Sequence, residues 1–167
     1  SDELYGTIGL NGVPILGGKS TLQRWRRMSS YVSASDDSHS PVLTVAETFR
    51  FAGRCTSEDG NSSEERIEER VQRFLTLLGL DHVQDTVVGD ENLRGVSGGQ
   101  KRRVTVGEMC MDPKARVLCL DNITDGLAST DSLSLVQNIS NLCKRKGTAA
   151  IVSLLQPSDD IIGVFDK

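Results

Sequence analysis

Leu93 to Met109 reads LRGVSGGQKRRVTVGEM and Arg116 to Asp121 reads RVLCLD, and together these two stretches decide the fold. Ser97-Gly98-Gly99-Gln100 opens a basic, amphipathic helix. Ser97 can accept from the backbone N–H three residues on while Gln100 reaches back to the Ser97 backbone, a capping box. Gly98 and Gly99 remove side chains, so free N–H groups at the positive end of the helix dipole can approach a phosphate closely. Such an end suits a polyanion. Lys101, Arg102 and Arg103 follow and read as the solvated face of the same helix. Val117 to Leu120 is a short apolar run that reads as a buried strand, delivering the Asp121 carboxylate at its C-terminal edge. A strand ending in one aspartate is common alone. About twenty residues after a VSGGQ helix start, it is far more specific.

Punctuation along the chain supplies the rest of the architecture. Leu4 to Pro14 reads as strand, Asn-Gly turn, strand, and Met28 to Ala34 as a further strand. Val45 to Cys55 has helical spacing, with Thr44 as N-cap and Glu47 three residues on. Ser57 to Ser63 is a polar loop. Glu64 to Leu80 is an amphipathic helix with Ile67, Val71, Phe74, Leu75 and Leu78 on one face. A helix near Ser132 to Lys144 follows the Asp121 strand, then an apolar strand from Ala149 to Leu155. Asp159 and Asp160 after Pro157 read as a helix N-terminus with favourable charge placement. Strands alternating with helices give an α/β protein with a parallel sheet.

The motifs, in this order, resemble those of the ATP-binding cassette (ABC) transporters. LRGVSGGQKRRVTVGEM is similar to the family's signature motif, in the wording of the first nucleotide-binding domain of the pleiotropic-drug-resistance group of the G subfamily. LCLDNITDGLAST resembles that group's Walker B and D-loop, IVSLLQPSDDIIGVFDK its H-loop region, and YVSASDDSHSPVLTVAETFRFAGRC its Q-loop and following helix. The resemblance implies a partial P-loop NTPase (RecA-like ABC ATPase) core with an inserted α-helical signature subdomain. Residues 1–167 would form one incomplete ATP-binding domain, with residues 41–107 as its helical part. ATP and Mg²⁺ are the implied cofactors. Ser97, Gly98, Gly99 and Gln100 would contact nucleotide, and Asp121 would hold Mg²⁺ beside its phosphates, as in P-loop nucleotidases.

Composition agrees with this class. The 167 residues suit one domain. No apolar run is long enough to span a bilayer, so the family's membrane helices are expected outside this stretch. A net charge of −4 argues against nucleic acid as partner. Cys55, Cys110, Cys119 and Cys143 show no CxxC spacing and read as reduced thiols. His39 and His82 lack partners at metal spacing and read as surface or loop residues, as do Asp36 and Asp37. Trp25, among Arg24, Arg26 and Arg27, reads as a loop or strand end packed inward.

Gly17-Gly18-Lys19-Ser20-Thr21 looks like the end of a P-loop, but the glycine its spacing demands is Val13. Pro14, Ile15 and Leu16 also occupy a loop whose amides should wrap phosphate. The favoured alignment takes GTIGLNGVP as the family's hairpin after the P-loop, makes GGKST a look-alike loop and puts the true P-loop upstream. That leaves strands uncovered, and open apolar edges favour aggregation. The alternative is a P-loop with an insertion followed by a deletion.

Departures from the family pattern fall on the hydrolytic groups. The general base beside Asp121 is replaced by Asn122, and an amide cannot accept a proton at neutral pH. The switch histidine aligns with Leu155, the Q-loop glutamine with Ala34 and the D-loop aspartate with Ala128. The expectation is a hydrolytically degenerate half at the cytosolic face of a membrane. It would lend its intact signature to a second nucleotide-binding domain, paired head to tail, and act with a transmembrane domain. Two other readings remain open: an interaction module that binds no ATP alone, and a stand-alone P-loop enzyme using GGKST.

Overall fold

Val117–Asp121 (β4) is a near-continuous apolar run, VLCLD, and such runs suit a strand covered on both faces. In the computed structural model, which describes residues 9–10, 12–14, 19–34, 39–57 and 63–165, it is the central strand of a three-stranded parallel sheet. Ser29–Val32 (β3) lies on one side and Ala149–Ser153 (β5) on the other. The register sets Val32 beside Leu120 and Asp121 beside Ser153, so the three carboxyl ends are level. Ligands of open α/β sheets bind outside those ends.

The helices form much as their sequences dictate. Val45–Cys55 (α2) is capped by Thr44, whose Oγ1 accepts from the Glu47 N–H (3.2 Å) while the Thr44 N–H donates to Glu47 Oε2 (2.9 Å). Glu64–Leu78 (α3) buries all five residues of its apolar stripe, and Gly79 ends it with φ of 65°. Phe49 of α2 meets Phe74 of α3 edge to face at 6.5 Å. Gly98–Cys110 (α4) follows its capping box, Ser129–Lys146 (α5) packs against β5, and Asp159–Ile162 (α6) starts after Ser158, as the paired aspartates suggest.

Three expectations are corrected. Lys19–Met28 (α1) is a helix rather than a loop, and Trp25 lies half-buried within it. Its apolar residues, Leu22, Trp25 and Met28, recur every three residues, a helical spacing that stands among polar or basic neighbours and an apparent loop motif. The helix α4 is not amphipathic: Arg102, Val104, Thr105, Val106 and Gly107 are buried in near succession, so neighbours enclose it. His39 is no surface residue, its side chain being 1% exposed.

Two short antiparallel strands, Gly9–Leu10 (β1) and Val13–Pro14 (β2), flank Gly12 at φ of 78° and form a sheet of their own, while Asn11 lies outside the described residues. The start of the hairpin reading at Leu4, the glycine pair at 17–18, Asp36, Asp37 and most of the 57–63 loop lie outside the described residues. The strand β5 is apolar yet poorly covered, with Ile151 62% exposed on one face of the sheet, and no described strand pairs with its outer edge.

Candidate functional site

At the start of α4 the Ser97 N–H donates to Gln100 Oε1 (2.9 Å) and the Gln100 N–H donates to Ser97 Oγ (3.3 Å). The cap therefore closes on itself, as read from the sequence. The two glycines then differ in surroundings. A Cβ on Gly99 would stand 3.0 Å from Leu127 Cδ2, whereas a Cβ on Gly98 would meet nothing within 4 Å. Among the described residues nothing requires residue 98 to be glycine, and the space over it is open. His82 Nε2 lies 3.2 Å from Gln100 Nε2, and Arg103 pairs with Asp131 at 2.8 Å, tying the first turns of α4 to the start of α5.

Asp121 closes β4 between two hydroxyl donors. Ser153 Oγ donates to Oδ1 at 2.5 Å and Tyr31 OH donates to Oδ2 at 3.0 Å, one from each neighbouring strand. These bonds, Ser153 first, together with the positive Arg102, hold its carboxyl below the usual carboxylate range against the opposing effect of burial. The same bond to Asp121 pushes the Tyr31 phenol up.

Asn122 adopts φ of 47°, a left-handed conformation that asparagine tolerates better than most residues. Its N–H donates to the backbone oxygen (3.1 Å) and Oγ (3.0 Å) of Ser153, while its side-chain Oδ1 is buried with no hydrogen-bond partner among the described residues. Leu155 is 71% exposed just beyond β5. Ala34 lies just after β3 and Ala128 at the N-cap of α5, both exposed and neither able to hydrogen-bond through its side chain.

Asp121 is the one sequence-read group suited to a metal, and no group of three or more His, Cys, Asp or Glu able to hold one occurs among the described residues.

Two residues escaped the sequence reading. Arg102, read as solvated, is 2% exposed. His39 is held between Thr105 Oγ1 (2.7 Å from Nε2) and Glu108 Oε2 (3.0 Å from Nδ1), both on α4. The partners named lie far from each of them in the sequence, so only the folded chain reveals them.

This geometry can be set beside known proteins. Residues 2–125 match the family described as ABC transporter. The chain is 38% identical over 165 residues to the ABC transporter patM of Penicillium expansum, covering 99% of this chain and 11% of that protein. It is 39% identical over 167 residues to ABC transporter G family member 18 of Arabidopsis thaliana, covering 99% and 22%. Against the G family member STR of Petunia hybrida it is 37% identical over 165 residues, covering 99% and 19%. The chain thus spans between a tenth and a quarter of the length of these relatives.

Among solved structures, cbiO1 of Clostridium perfringens, part of the ABC transporter complex cbiONQ, matches with a TM-score of 0.68 at 21% identity, covering 90% of this chain and 56% of that one. The ATP-binding cassette MJ0796, a dimer bound to ADP and phosphate, matches with a TM-score of 0.66 at 20% identity, covering 93% and 62%. These likenesses give the fold, a partial P-loop NTPase core of ABC type. The chain belongs to the ABC transporter family and is a nucleotide-binding domain of its G-subfamily type.

Proposed function

We propose that this domain is the hydrolytically degenerate half of an asymmetric pair in a drug-exporting transporter, and that its signature helix completes the ATP site of a partner nucleotide-binding domain. The observation that carries this is the open space over Gly98 at the positive end of α4, beside a cap that needs no outside partner. A phosphate reaching that end meets backbone N–H groups without displacing a side chain.

The chain's own carboxyl-end edge is poorer. Bound Mg²⁺ with ATP would supply neutralisation of charge on the transferring phosphoryl group. Asp121 would be ionised there and would keep lone pairs for a metal beyond the two hydroxyl bonds. Asn122 can accept a hydrogen bond but cannot take a proton from water. Leu155, Ala34 and Ala128 contribute no polar side chain. Loss of general-base catalysis costs about 10²–10⁴ in rate, so the site would hold nucleotide more readily than hydrolyse it.

As an ABC-type domain it would sit at the cytosolic face of a membrane and act with a transmembrane domain; no described helix is itself long and apolar enough to cross one. Ser97→Trp in the full-length transporter should lower ATP turnover by on the order of 10²-fold, the loss typical of removing one preorganised donor set. Unchanged turnover would overturn the assignment.

A second reading has one observation in its favour. The helix α1 begins at Lys19, directly after Gly17-Gly18, as the helix of a P-loop does. Against it, β2 before GGKST belongs to the separate antiparallel hairpin and not to the parallel sheet. An equilibrium titration with Mg-ATP separates the two. Binding that disappears in Lys19→Ala supports a working P-loop, and binding indifferent to Lys19 removes it.

A further inference from the structure

Arg102 stands in the second turn of α4, and a cation 2% exposed at that place calls for a reason. A guanidinium offers five N–H donors in a rigid planar fork. Here five main-chain oxygens of the described residues receive them. Nη1 donates to Ser33 O (2.7 Å) and Ala34 O (3.2 Å), Nη2 to Asp121 O (2.7 Å) and Asn122 O (3.0 Å), and Nε, more weakly, to Ile123 O (3.4 Å). The acceptors belong to two segments, the exit of β3 and the exit of β4. Beyond its last residue a strand no longer supplies partners to these carbonyls, and buried carbonyls without donors are costly. A position that needed only filling would suit Leu or Met.

We propose that Arg102 is a positioning residue: it locks the Ser97–Gln100 turn to the ends of β3 and β4, so that the outward-facing signature and the Asp121–Asn122 edge move as one body. The inference rests on the signature reading given under Proposed function. Arg102 follows Gly98 by one helical turn, so a rotation or slide of α4 that re-aims the Gly98 amide must break bonds to both strand exits. Arg102 touches no nucleotide in this arrangement; it acts through the helix. Lysine would keep the charge, yet its three N–H donors on one nitrogen cannot serve all five oxygens.

The test uses the full-length transporter carrying Arg102→Lys, Arg102→Met or Ser97→Trp, with thermal midpoint, ATP KM and kcat read for each. For Arg102→Lys the expected result is a midpoint within a few degrees of the parent, KM within about twofold and kcat lowered about tenfold or more, as small misplacements at a reacting site do. Arg102→Met should lose at least as much, and if it does not fold, Arg102→Lys decides. A kcat within twofold of the parent for Arg102→Lys overturns the proposal. So does a fall in kcat that only tracks the loss of folded protein. Ser97→Trp keeps the two claims apart. If it abolishes turnover while Arg102→Lys does nothing, only the positioning role fails. If Ser97→Trp is silent, the signature reading itself fails and the positioning role with it.

Discussion

Gly98 and Gly107 occupy the same helix, and their lack of a side chain serves opposite ends. A Cβ on Gly107 would lie 2.4 Å from Phe49 Cζ and 2.7 Å from Leu78 Cδ1, at the meeting point of α2, α3 and α4. Gly107→Ala should therefore cost about 1–3 kcal/mol by overpacking, while Gly98→Ala should change stability by less than about 0.5 kcal/mol. Urea unfolding of both variants checks the contrast. The thiols separate in the same way. Burial pushes Cys110 up to about 12, whereas Cys55 is exposed. A maleimide at pH 7 should label Cys55 in the native protein and reach Cys110 only after unfolding. What was legible at this scale was local. The capping pairs Thr44/Glu47 and Ser97/Gln100 are three residues apart and close as their spacing says. Arg102 and His39 were misread because their partners are far along the chain, Ser33 for the one and Thr105 for the other.

At the level of elements, α2 and α3 are joined on their solvent side by a two-pronged ion pair, Arg50 Nε to Glu68 Oε2 at 2.7 Å and Nη2 to Oε1 at 3.1 Å. The Arg50 guanidinium, with help from Gln72, lowers Glu68 from 4.5 to about 2. A carboxyl lowered on folding adds stability above its unfolded value that is lost as pH falls through the folded one. The contribution is thus present at pH 7 and fades between about pH 5 and pH 2. Both side chains remain over a third exposed, 34% and 42%, so screening limits it to about 0.5–1 kcal/mol. Glu68→Gln should lower the thermal midpoint at pH 7, and that difference should close on acidification toward pH 2. The helix α3 was readable in advance because its apolar stripe is dense and regular. The helix α1 was missed although Leu22, Trp25 and Met28 recur at helical spacing, because its start coincides with a loop-like GGKST.

For the molecule as a whole, the parallel sheet and its helices were legible because β4 and β5 are continuous apolar runs separated by helical spacing. The exposure of β5 was not, because a strand's sequence does not say which neighbours the chain provides. Ile151, on that open strand, gives a direct expectation: Ile151→Lys should reduce self-association of the isolated domain in sedimentation measurements. The same asymmetry governs how the sheet comes apart. The strand β4 is hydrogen-bonded on both sides and can release its amides only when two ladders break, whereas among the described residues β5 holds on by one. In deuterium exchange β5 should take up label early and β4 last. Each brief opening of β5 would carry Ser153 away from Asp121 while Asp121 stayed in place, and would leave the carboxylate with Tyr31 as its one remaining hydroxyl donor. Because the Ser153 bond does most to hold the Asp121 carboxyl low, whatever stills that strand favours the ionised carboxylate.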